Sequence, residues 1–320
     1  MEYWSKFPLL EKQLEKVESI INNETKSRNK LLNKASLELV MSGGKRLRPA
    51  FVLLSGSFGK YDEGKITKCA GAIEVLHTAT LVHDDIIDKS SLRRGRITVS
   101  AEYGVDMAVY TGDFLFTKAI LMLAGTVPVE RLDILAKAIK TICEGEVDQY
   151  VSKYSLNTSV LGYLKRIQRK TGILFAASGA LGGYCGECDD DTIKKLTKVG
   201  GYFGTAFQIK DDINDFNKSE ISSGKPVFKD LREGLVTLPT LYAIMKNKNL
   251  KSMIQEFFDK EDNVAEFDED MLCALVKENG GINDAYKLLL KYTDRARKVL
   301  LTLPDNPSRA ILLELISSLE

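Results

Sequence analysis

The sequence predicts an all-α protein of about a dozen helices with essentially no sheet. Seven prolines among the 320 residues leave three long segments without proline, namely 50–127, 129–225 and 240–303. Leu, Ala, Lys and Glu, which favour helices, are abundant, and the alternation of apolar and polar residues that is typical of strands is scarce. We therefore expect helices along the whole chain.

In chain order, three segments carry apolar residues at the spacing of one helix face. These stripes are Leu9, Leu10, Leu14, Val17, Ile20 and Ile21; Ile134, Leu135, Ala138, Ile139 and Ile142; and Leu288, Leu289, Tyr292, Ala296 and Leu300. Pro8 and Pro49 are placed as helix-start prolines, and Gly59, Gly64, Gly125 and Gly280-Gly281 as breaks between helices. The apolar run 173–181 predicts a buried helix. Because no low-complexity linker divides the chain, we expect one domain over residues 1–320.

Composition excludes several classes of protein. Lys and Arg number 45 and Asp and Glu 44, a net charge of +1, which argues against nucleic-acid binding. A run of 18 apolar residues is missing, so we expect no membrane span. Five cysteines and no signal-peptide pattern predict a cytoplasmic protein with free thiols. Two histidines make a histidine-based metal cluster improbable.

An Asp-Asp-x-x-Asp cluster occurs twice in apolar helical surroundings. The first comprises Asp84, Asp85 and Asp88, and the second Asp211, Asp212 and Asp215. On a helix, each set lies on one face. Followed backwards, the first face passes through His77 and Ile73, and the second through Gly204 and Gly201, whose small size predicts room beside the helix.

Such clusters favour a divalent cation. At about 5 Å and an effective dielectric constant near 20, each pair of carboxylates repels by about 3 kcal/mol. Mg²⁺ relieves this repulsion, since it accepts a few carboxylate oxygens and completes its octahedron with water and substrate phosphate. One cluster alone is better explained by a solvated acidic face, whereas two copies in apolar surroundings make that alternative improbable.

Basic residues near the clusters could bind the phosphate. Gly43-Gly44-Lys45-Arg46-Leu47-Arg48-Pro49 places three cations beside two glycines, and Leu92-Arg93-Arg94-Gly95-Arg96 follows the first cluster. Lys170-Thr171 precedes the buried run, where a lysine needs an anionic partner, and Lys225 follows the second cluster. A surface turn, or pairing of the arginines with the aspartates, would explain the first two equally well. For the acidic segment 144–149 we favour a structural role.

Together these segments resemble the trans-type isoprenyl diphosphate synthases, the polyprenyl synthetase family, over roughly residues 34–315. The motifs that carry the resemblance are GGKRLRP (43–49), LVHDDIID (81–88), LRRGRITV (92–99), YTGDFLF (110–116), CEGEVDQ (143–149), RKTGILF (169–175), GTAFQIKDDINDF (204–216), GKP (224–226) and DLREGLVTLP (230–239). The chain is most similar to the catalytic subunit of bacterial hexaprenyl and heptaprenyl diphosphate synthases.

The resemblance implies the isoprenoid synthase fold, a bundle of long, mostly antiparallel helices around a deep central cavity. It also implies head-to-tail 1′-4 condensation of isopentenyl diphosphate with an allylic diphosphate. Three Mg²⁺ ions per active site are expected. So is a homodimer, or a heterodimer with a small regulatory subunit.

The resemblance also implies a role for individual residues. The metal ligands would be Asp84, Asp85, Asp88, Asp211, Asp212 and Asp215. The allylic diphosphate would be held by Arg93, Lys170, Thr171 and Lys225, and isopentenyl diphosphate by Lys45, Arg48, His77 and Arg94. Phe207 and Gln208 would lie near the reacting carbons. Leu76, Ala79 and Thr80 would set product length, with Phe114 and Leu121 as further candidates. Because Ala79 and Thr80 are small, we expect a deep floor below the allylic site. The resemblance to hexaprenyl and heptaprenyl diphosphate synthases then implies a C30–C35 product, with C20 as the next alternative.

Other functions stay open on the sequence alone. A geranylgeranyl or farnesyl diphosphate synthase would share every motif. A class I terpene cyclase shares the fold and the first motif, but its second motif usually has Ser or Thr where this chain has Asp215, and it lacks the Lys45 and Arg48 site. A noncatalytic subunit or helical scaffold would not need six aspartates. The chain could also be a catalytic half that is inactive without its partner.

Overall fold

A computed structural model describes residues 2–216, 229–259 and 269–320. As predicted, the described chain is all-α. Its α-helices are α1 (Pro8–Glu24), α2 (Lys30–Val40), α3 (Leu47–Gly56), α4 (Glu63–Ile87), α5 (Val99–Tyr103), α6 (Val105–Ala124), α7 (Leu132–Val151), α8 (Val160–Ile167), α9 (Ile173–Cys185), α10 (Asp190–Asn214), α11 (Lys229–Arg232), α12 (Leu238–Lys246), α13 (Lys248–Asp259), α14 (Glu269–Glu278), α15 (Gly281–Leu300) and α16 (Pro307–Ser317). Short 3-10 turns cover Glu2–Trp4 and Val129–Arg131, and a π-helical turn covers Gln168–Gly172.

The strands found in the described ranges form one small hairpin after α4. Strand β1 (Leu92–Arg93) pairs antiparallel with β2 (Arg96–Ile97), so that Leu92 lies opposite Ile97 and Arg93 opposite Arg96. The turn residues Arg94 and Gly95 have φ angles of 51° and 75°. Two successive left-handed residues are typical of the type I′ turn that suits a two-residue hairpin.

The chain folds into two compact units, each assembled from three segments. The first unit comprises residues 1–136, 177–197 and 303–312. The second unit comprises residues 137–176, 198–302 and 313–320. The predicted aspartate clusters lie one in each unit.

Helix α4 is the centre of the first unit. It packs against α1, α3 and α6, and residues on every side of it are buried, among them Ile66, Cys69, Ile73, Val75 and Leu76. The Asp62 carboxylate begins the helix by accepting a hydrogen bond from Lys65 N at 3.1 Å. Because burial fixes this helix along its length, the aspartates at its carboxyl end are held on a rigid support.

Helix α6 combines a buried face with an exposed apolar one. Its length and hydropathy would allow a membrane span, which differs from the prediction that the chain has none. However, Asp106, Asp113 and Lys118 interrupt it, and its other face packs on α4. One such helix is weak evidence for a span, and the packing on α4 accounts for its buried face.

The predicted helix faces are largely confirmed. Leu10, Leu14, Val17 and Ile21 of α1 are buried, as are Leu135, Ala138 and Ile142 of α7 and Leu289, Tyr292, Ala296 and Leu300 of α15. Leu9 was wrongly included, because it is 83% exposed, one position and therefore about 100° away from Leu10.

Two predicted helix boundaries shift, and one is confirmed. Pro8 is the first residue of α1, as expected, but α3 begins at Leu47, two residues before Pro49. Gly64 lies inside α4, whose first residue is Glu63, so it does not separate two helices.

Candidate active site

In the first unit, the Asp84, Asp85 and Asp88 cluster lies at the carboxyl end of α4. Asp88 caps the helix, and its backbone N–H donates to Asp84 O at 2.8 Å. Asp84 and Asp88 are half-buried, whereas Asp85 is 3% exposed. The last turn of a buried helix therefore presents two accessible carboxylates and buries the third.

Asp85 positions the hairpin arginine. Arg93 Nε donates to Asp85 Oδ1 at 2.7 Å, and Ser90 N donates to Asp85 O at 3.0 Å. The hairpin is fixed further by Thr98 Oγ1, which donates to Ser90 O at 2.7 Å. A residue predicted as a metal ligand thus holds Arg93, a predicted diphosphate ligand, beside the cluster.

The GGKRLRP loop lies next to the hairpin turn. Arg94 donates through Nη1 to the carbonyl of Gly43, and a Cβ at Gly44 would lie 2.7 Å from that same nitrogen. Gly44 has a φ of 139° and Gly43 a φ of 74°. The glycine pair therefore permits both the turn and the close approach of Arg94.

Arg48 and His77 form a half-buried pair. Arg48 Nη1 lies 3.1 Å from His77 Nε2, and the guanidinium must be the donor because it has no acceptor atom. Burial, then the positive charge of Arg48, lowers the pKa of His77 well below its usual value. Burial lowers the pKa of Arg48 to about 10. At neutral pH the arginine is therefore charged and the imidazole neutral, which allows this hydrogen bond.

Arg46 is the cation of this loop that serves the structure. It has a φ of 49°, and its buried guanidinium donates to Glu74 Oε1 at 2.6 Å, to Val40 O at 2.7 Å and to Glu18. Glu74 itself is buried on α4. This ion pair was missed, because the sequence shows three equivalent cations and no sign of which one meets a buried glutamate.

In the second unit, Asp211 and Asp212 lie in the last turn of α10, and Asp215 follows it. Asp211 and Asp215 are exposed, while Asp212 is 4% exposed. Asp212 accepts hydrogen bonds from Tyr163 Oη at 2.6 Å and from Gln208 Nε2 at 2.9 Å. Burial, and then the Asp230 carboxylate, raises the pKa of Asp212 to about 7.

Lys170 and Thr171 are presented by the π-helical turn between α8 and α9. Thr171 Oγ1 donates to Gln208 Oε1 at 2.8 Å, which connects this turn to Asp212. Lys170 Nζ lies 3.0 Å from Glu146 Oε1, and Arg169 donates to Asp148. The acidic segment of α7 therefore neutralises these cations, which supports the structural role favoured for it.

The glycines of α10 allow close packing instead of leaving the predicted room beside the helix. A Cβ at Gly204 would lie 2.9 Å from Gly172 Cα and 2.8 Å from Phe175 Cδ2. Phe207 packs against Phe175 and Phe203, with ring centroids 5.9 and 6.3 Å apart. The prediction of free space is wrong at this position because the π-helical turn and α9 fill it.

Two residues of the second cluster were missed by sequence reasoning. Tyr163 lies 49 positions before Asp212, and only the packing of α8 on α10 brings them together. Asp230 is the first residue of the DLREGLVTLP motif, and its acidic side chain could have suggested that it lies near the second cluster. Lys225, predicted to bind diphosphate, lies outside the described residues.

The carboxylates have the chemistry that Mg²⁺ requires, since hard cations prefer oxygen ligands. The buried Asp212 carboxyl with a raised pKa is a group that a nearby cation would stabilise in its charged form. Within residues 2–216, 229–259 and 269–320, three or more Asp, Glu, His or Cys side chains are nowhere assembled closely enough to hold a metal. The carboxylate oxygens are therefore suitable ligands for Mg²⁺, but the side chains of each cluster would have to move closer together to bind the ion.

The residues proposed for product length lie on α4, one to two turns before the first cluster. Leu76 and Ala79 are fully buried, and Thr80 is half-buried with its hydroxyl donating to His77 O at 2.8 Å. Of the further candidates on α6, Phe114 is half-buried, but Leu121 is 61% exposed and is not enclosed within this chain.

Comparison with known proteins shows which family this chain is similar to. The chain matches the family described as Polyprenyl synthetase over residues 29–271. It is 38% identical to heptaprenyl diphosphate synthase component 2 of Geobacillus stearothermophilus, over 98% of this chain and 97% of that protein.

Solved structures of similar chains have nearly the same fold over nearly their whole length. The crystal structure of heptaprenyl diphosphate synthase from Staphylococcus aureus has a TM-score of 0.90 and 36% identity, covering 97% of both chains. That of polyprenyl synthase from Caulobacter crescentus CB15, complexed with calcium and isoprenyl diphosphate, has a TM-score of 0.89 and 33% identity, covering 98% of this chain and 95% of the other.

Proposed function

The chain belongs to the polyprenyl synthetase family, and we propose that it is a prenyltransferase that condenses isopentenyl diphosphate head-to-tail with an allylic diphosphate. The observation that carries this proposal is that two complete aspartate clusters and two sets of cations occur in one chain that matches these synthases over nearly its whole length. The product would be an all-trans polyprenyl diphosphate of C30–C35, since relatives that are similar over their full length include heptaprenyl diphosphate synthases.

The residues divide into two substrate sites. Lys45, Arg48, His77 and Arg94 would bind the diphosphate of isopentenyl diphosphate. Arg93, Lys170, Thr171 and Lys225 would bind that of the allylic substrate. Phe207 and Gln208 would lie near the reacting carbons. The neutral His77 would donate or accept a hydrogen bond without adding charge beside the half-buried Arg48.

Catalysis would be electrostatic. Mg²⁺ held by the carboxylates of Asp84, Asp85, Asp88, Asp211, Asp212 and Asp215, as three ions per active site, would supply positive charge for the departing diphosphate. Arg93 and Lys170 would stabilise the same charge as the allylic C1–O bond breaks. C4 of isopentenyl diphosphate then attacks the allylic cation at C1, and the released diphosphate accepts the proton that is lost.

The test is to incubate the purified chain with Mg²⁺, farnesyl diphosphate and labelled isopentenyl diphosphate, and to size the products. We expect C30–C35 products, and a loss of kcat of about 100-fold or more for Asp84→Asn. Removal of the metal with a chelator should abolish turnover. A product that stops at C20 would favour a geranylgeranyl diphosphate synthase. No product, even with the small subunit of a related heptaprenyl synthase added, would contradict the proposal.

Product length would be set at α4. Because Ala79 is small and fully buried, Ala79→Phe should block the growing chain and shorten the product by about two isoprene units, since one helical turn of about 5.4 Å is close to one unit. Chromatography of the products measures this. Thr117→Ser on the exposed side of α6 serves as the control. An unchanged product distribution for Ala79→Phe would contradict this assignment.

We also propose that the enzyme works as a cytoplasmic dimer, either with a second copy or with a small regulatory subunit. The relative named component 2 supports the second arrangement. Exposed apolar side chains of α6, namely Val105, Val109, Tyr110, Ile120 and Leu121, support a covered face in either case. All five cysteines are free thiols, as in a reducing compartment. Sedimentation of the active enzyme would contradict the proposal if it showed a monomer.

A further inference from the structure

An aromatic segment ahead of α1 contacts the loop that carries Lys45. Trp4 is 1% exposed, and its indole Nε1 donates to Lys45 O at 2.7 Å. The ring of Phe7 lies 6.4 Å from that of Trp4, and the ring of Tyr3 meets it edge-on at 5.0 Å. The segment is therefore a packed aromatic cluster with one polar contact, and that contact goes to the backbone of Lys45.

The same segment also meets the side chain of Lys45. Lys45 Nζ lies 5.4 Å from the centroid of the Tyr3 ring, within the range of a cation–π interaction. Lys45 is exposed, and a long exposed lysine would otherwise sample many rotamers. One aromatic residue thus fixes the backbone of Lys45, and its neighbour restricts the direction of the ammonium group.

The loop needs such support. Gly43, Gly44 and Arg46 all have positive φ angles, of 74°, 139° and 49°, and a non-glycine residue persists in that region only where its surroundings hold it. Arg46 is anchored through its guanidinium to Glu74 and Val40 O. Gly43 is bound by Arg94. The Trp4 bond supplies the remaining anchor, at the residue between them.

We propose that Trp4 and Tyr3 are positioning residues that hold Lys45 ready for the diphosphate of isopentenyl diphosphate. This inference rests on the proposed function, which assigns Lys45 to that substrate. Neither aromatic residue would touch the substrate. Their effect is to reduce the ordering that Lys45 must undergo on binding, which raises affinity without any added contact.

Two variants and a control test the inference. Trp4→Phe removes the indole N–H but keeps an aromatic ring in the packed cluster. Tyr3→Leu removes the aromatic face from an exposed position, so the protein should fold even if Trp4→Phe does not. Tyr61→Leu is the matched control, because Tyr61 is 37% exposed and Tyr3 is 41% exposed. Circular dichroism and thermal unfolding establish that each variant is folded.

Calorimetric titration with isopentenyl diphosphate alone gives the affinity without requiring turnover. We expect about fivefold weaker binding for Trp4→Phe and Tyr3→Leu, as for loss of one hydrogen bond or cation–π contact, and no change for Tyr61→Leu. The affinity for farnesyl diphosphate should not change in any of the three. A general structural defect would weaken the binding of both ligands. An equal loss of affinity for isopentenyl diphosphate and farnesyl diphosphate would therefore overturn the inference.

Trp4 is the only tryptophan of the chain, so its fluorescence is a second readout. Isopentenyl diphosphate should change the emission of the wild type and of Tyr3→Leu, but not of Lys45→Met. If the wild type does not bind isopentenyl diphosphate, the proposed function fails and the inference fails with it. If the wild type binds, Lys45→Met binds weakly, and both aromatic variants bind like the wild type, only the inference is overturned.

Discussion

At the scale of single residues, the electrostatics of the second aspartate cluster are clearest at Asp212. The group is buried, and burial together with the Asp230 carboxylate raises its pKa to about 7. Tyr163 and Gln208 donate hydrogen bonds to it, which act in the opposite direction but do not offset burial. Without metal, deprotonation of Asp212 is therefore unfavourable in the folded protein.

This predicts a pH-dependent stability of the metal-free enzyme. An acid whose pKa is raised on folding contributes stability that is present below its unfolded value, near 3.8, and that is lost as the pH rises through about 7. Asp212→Asn should remove this loss and raise the free energy of unfolding at pH 8 by up to about 4 kcal/mol. Thermal unfolding in chelator at pH 5 to 8 measures it.

At low pH the melting temperature of the wild type should approach that of Asp212→Asn. At pH 8, Mg²⁺ should stabilise the wild type more than it stabilises Asp212→Asn. Identical melting temperatures for the two proteins across this range would show that the buried carboxyl does not titrate as described.

At the scale of the element, the π-helical turn between α8 and α9 carries Lys170 and Thr171, which we propose bind the allylic diphosphate. A π-helical turn adds one residue to a helix and is often found at functional sites. Here it presents Thr171 to Gln208 and packs so closely on α10 that Gly172 and Gly204 face each other without side chains. The site therefore depends on backbone contact as much as on its polar residues.

Two glycines of α10 provide a matched pair of substitutions. In Gly204→Ala the new methyl group would meet Gly172 Cα at 2.9 Å, whereas in Gly201→Ala the nearest atom is Ala176 Cβ at 3.7 Å. Gly204→Ala should destabilise the protein by about 2 kcal/mol and raise KM for the allylic substrate. Gly201→Ala should be neutral or stabilising by up to about 1 kcal/mol. Denaturant unfolding and steady-state kinetics test both variants. Equal effects of the two substitutions on stability and KM would be evidence against close backbone contact at Gly204.

For the whole molecule, the two compact units raise the question of cooperativity. Each unit is built from three segments of the chain, and the segments of the two units alternate along it, so no single cut would separate the two units into different pieces. We propose on this ground that residues 1–320 form one domain. Scanning calorimetry should give a single transition whose calorimetric and van't Hoff enthalpies agree. Two separate transitions would contradict the single domain.

The sequence was sufficient to predict the all-α fold, but not which side chains contact the predicted site residues. Helical periodicity is local, so the buried faces of α1, α7 and α15 could be assigned from spacing alone. Partner choice depends on which helices pack together. Lys170 pairs with Glu146, 24 residues away, and Tyr163 donates to Asp212, 49 residues away. Neither distance follows from a periodic pattern.

The ion pairs of the π-helical turn have a consequence for which anions the enzyme can accept. Lys170 and Arg169 already have carboxylate partners, Glu146 and Asp148, so an incoming anion must compete with an internal one. A singly charged anion gains little by such an exchange, whereas a diphosphate brings more charge to the same cations. The ion pairs would therefore favour anions of higher charge at these two cations. Inorganic pyrophosphate should compete with the allylic substrate at least about 10-fold more strongly than inorganic phosphate. Equal inhibition constants for the two anions would contradict this prediction.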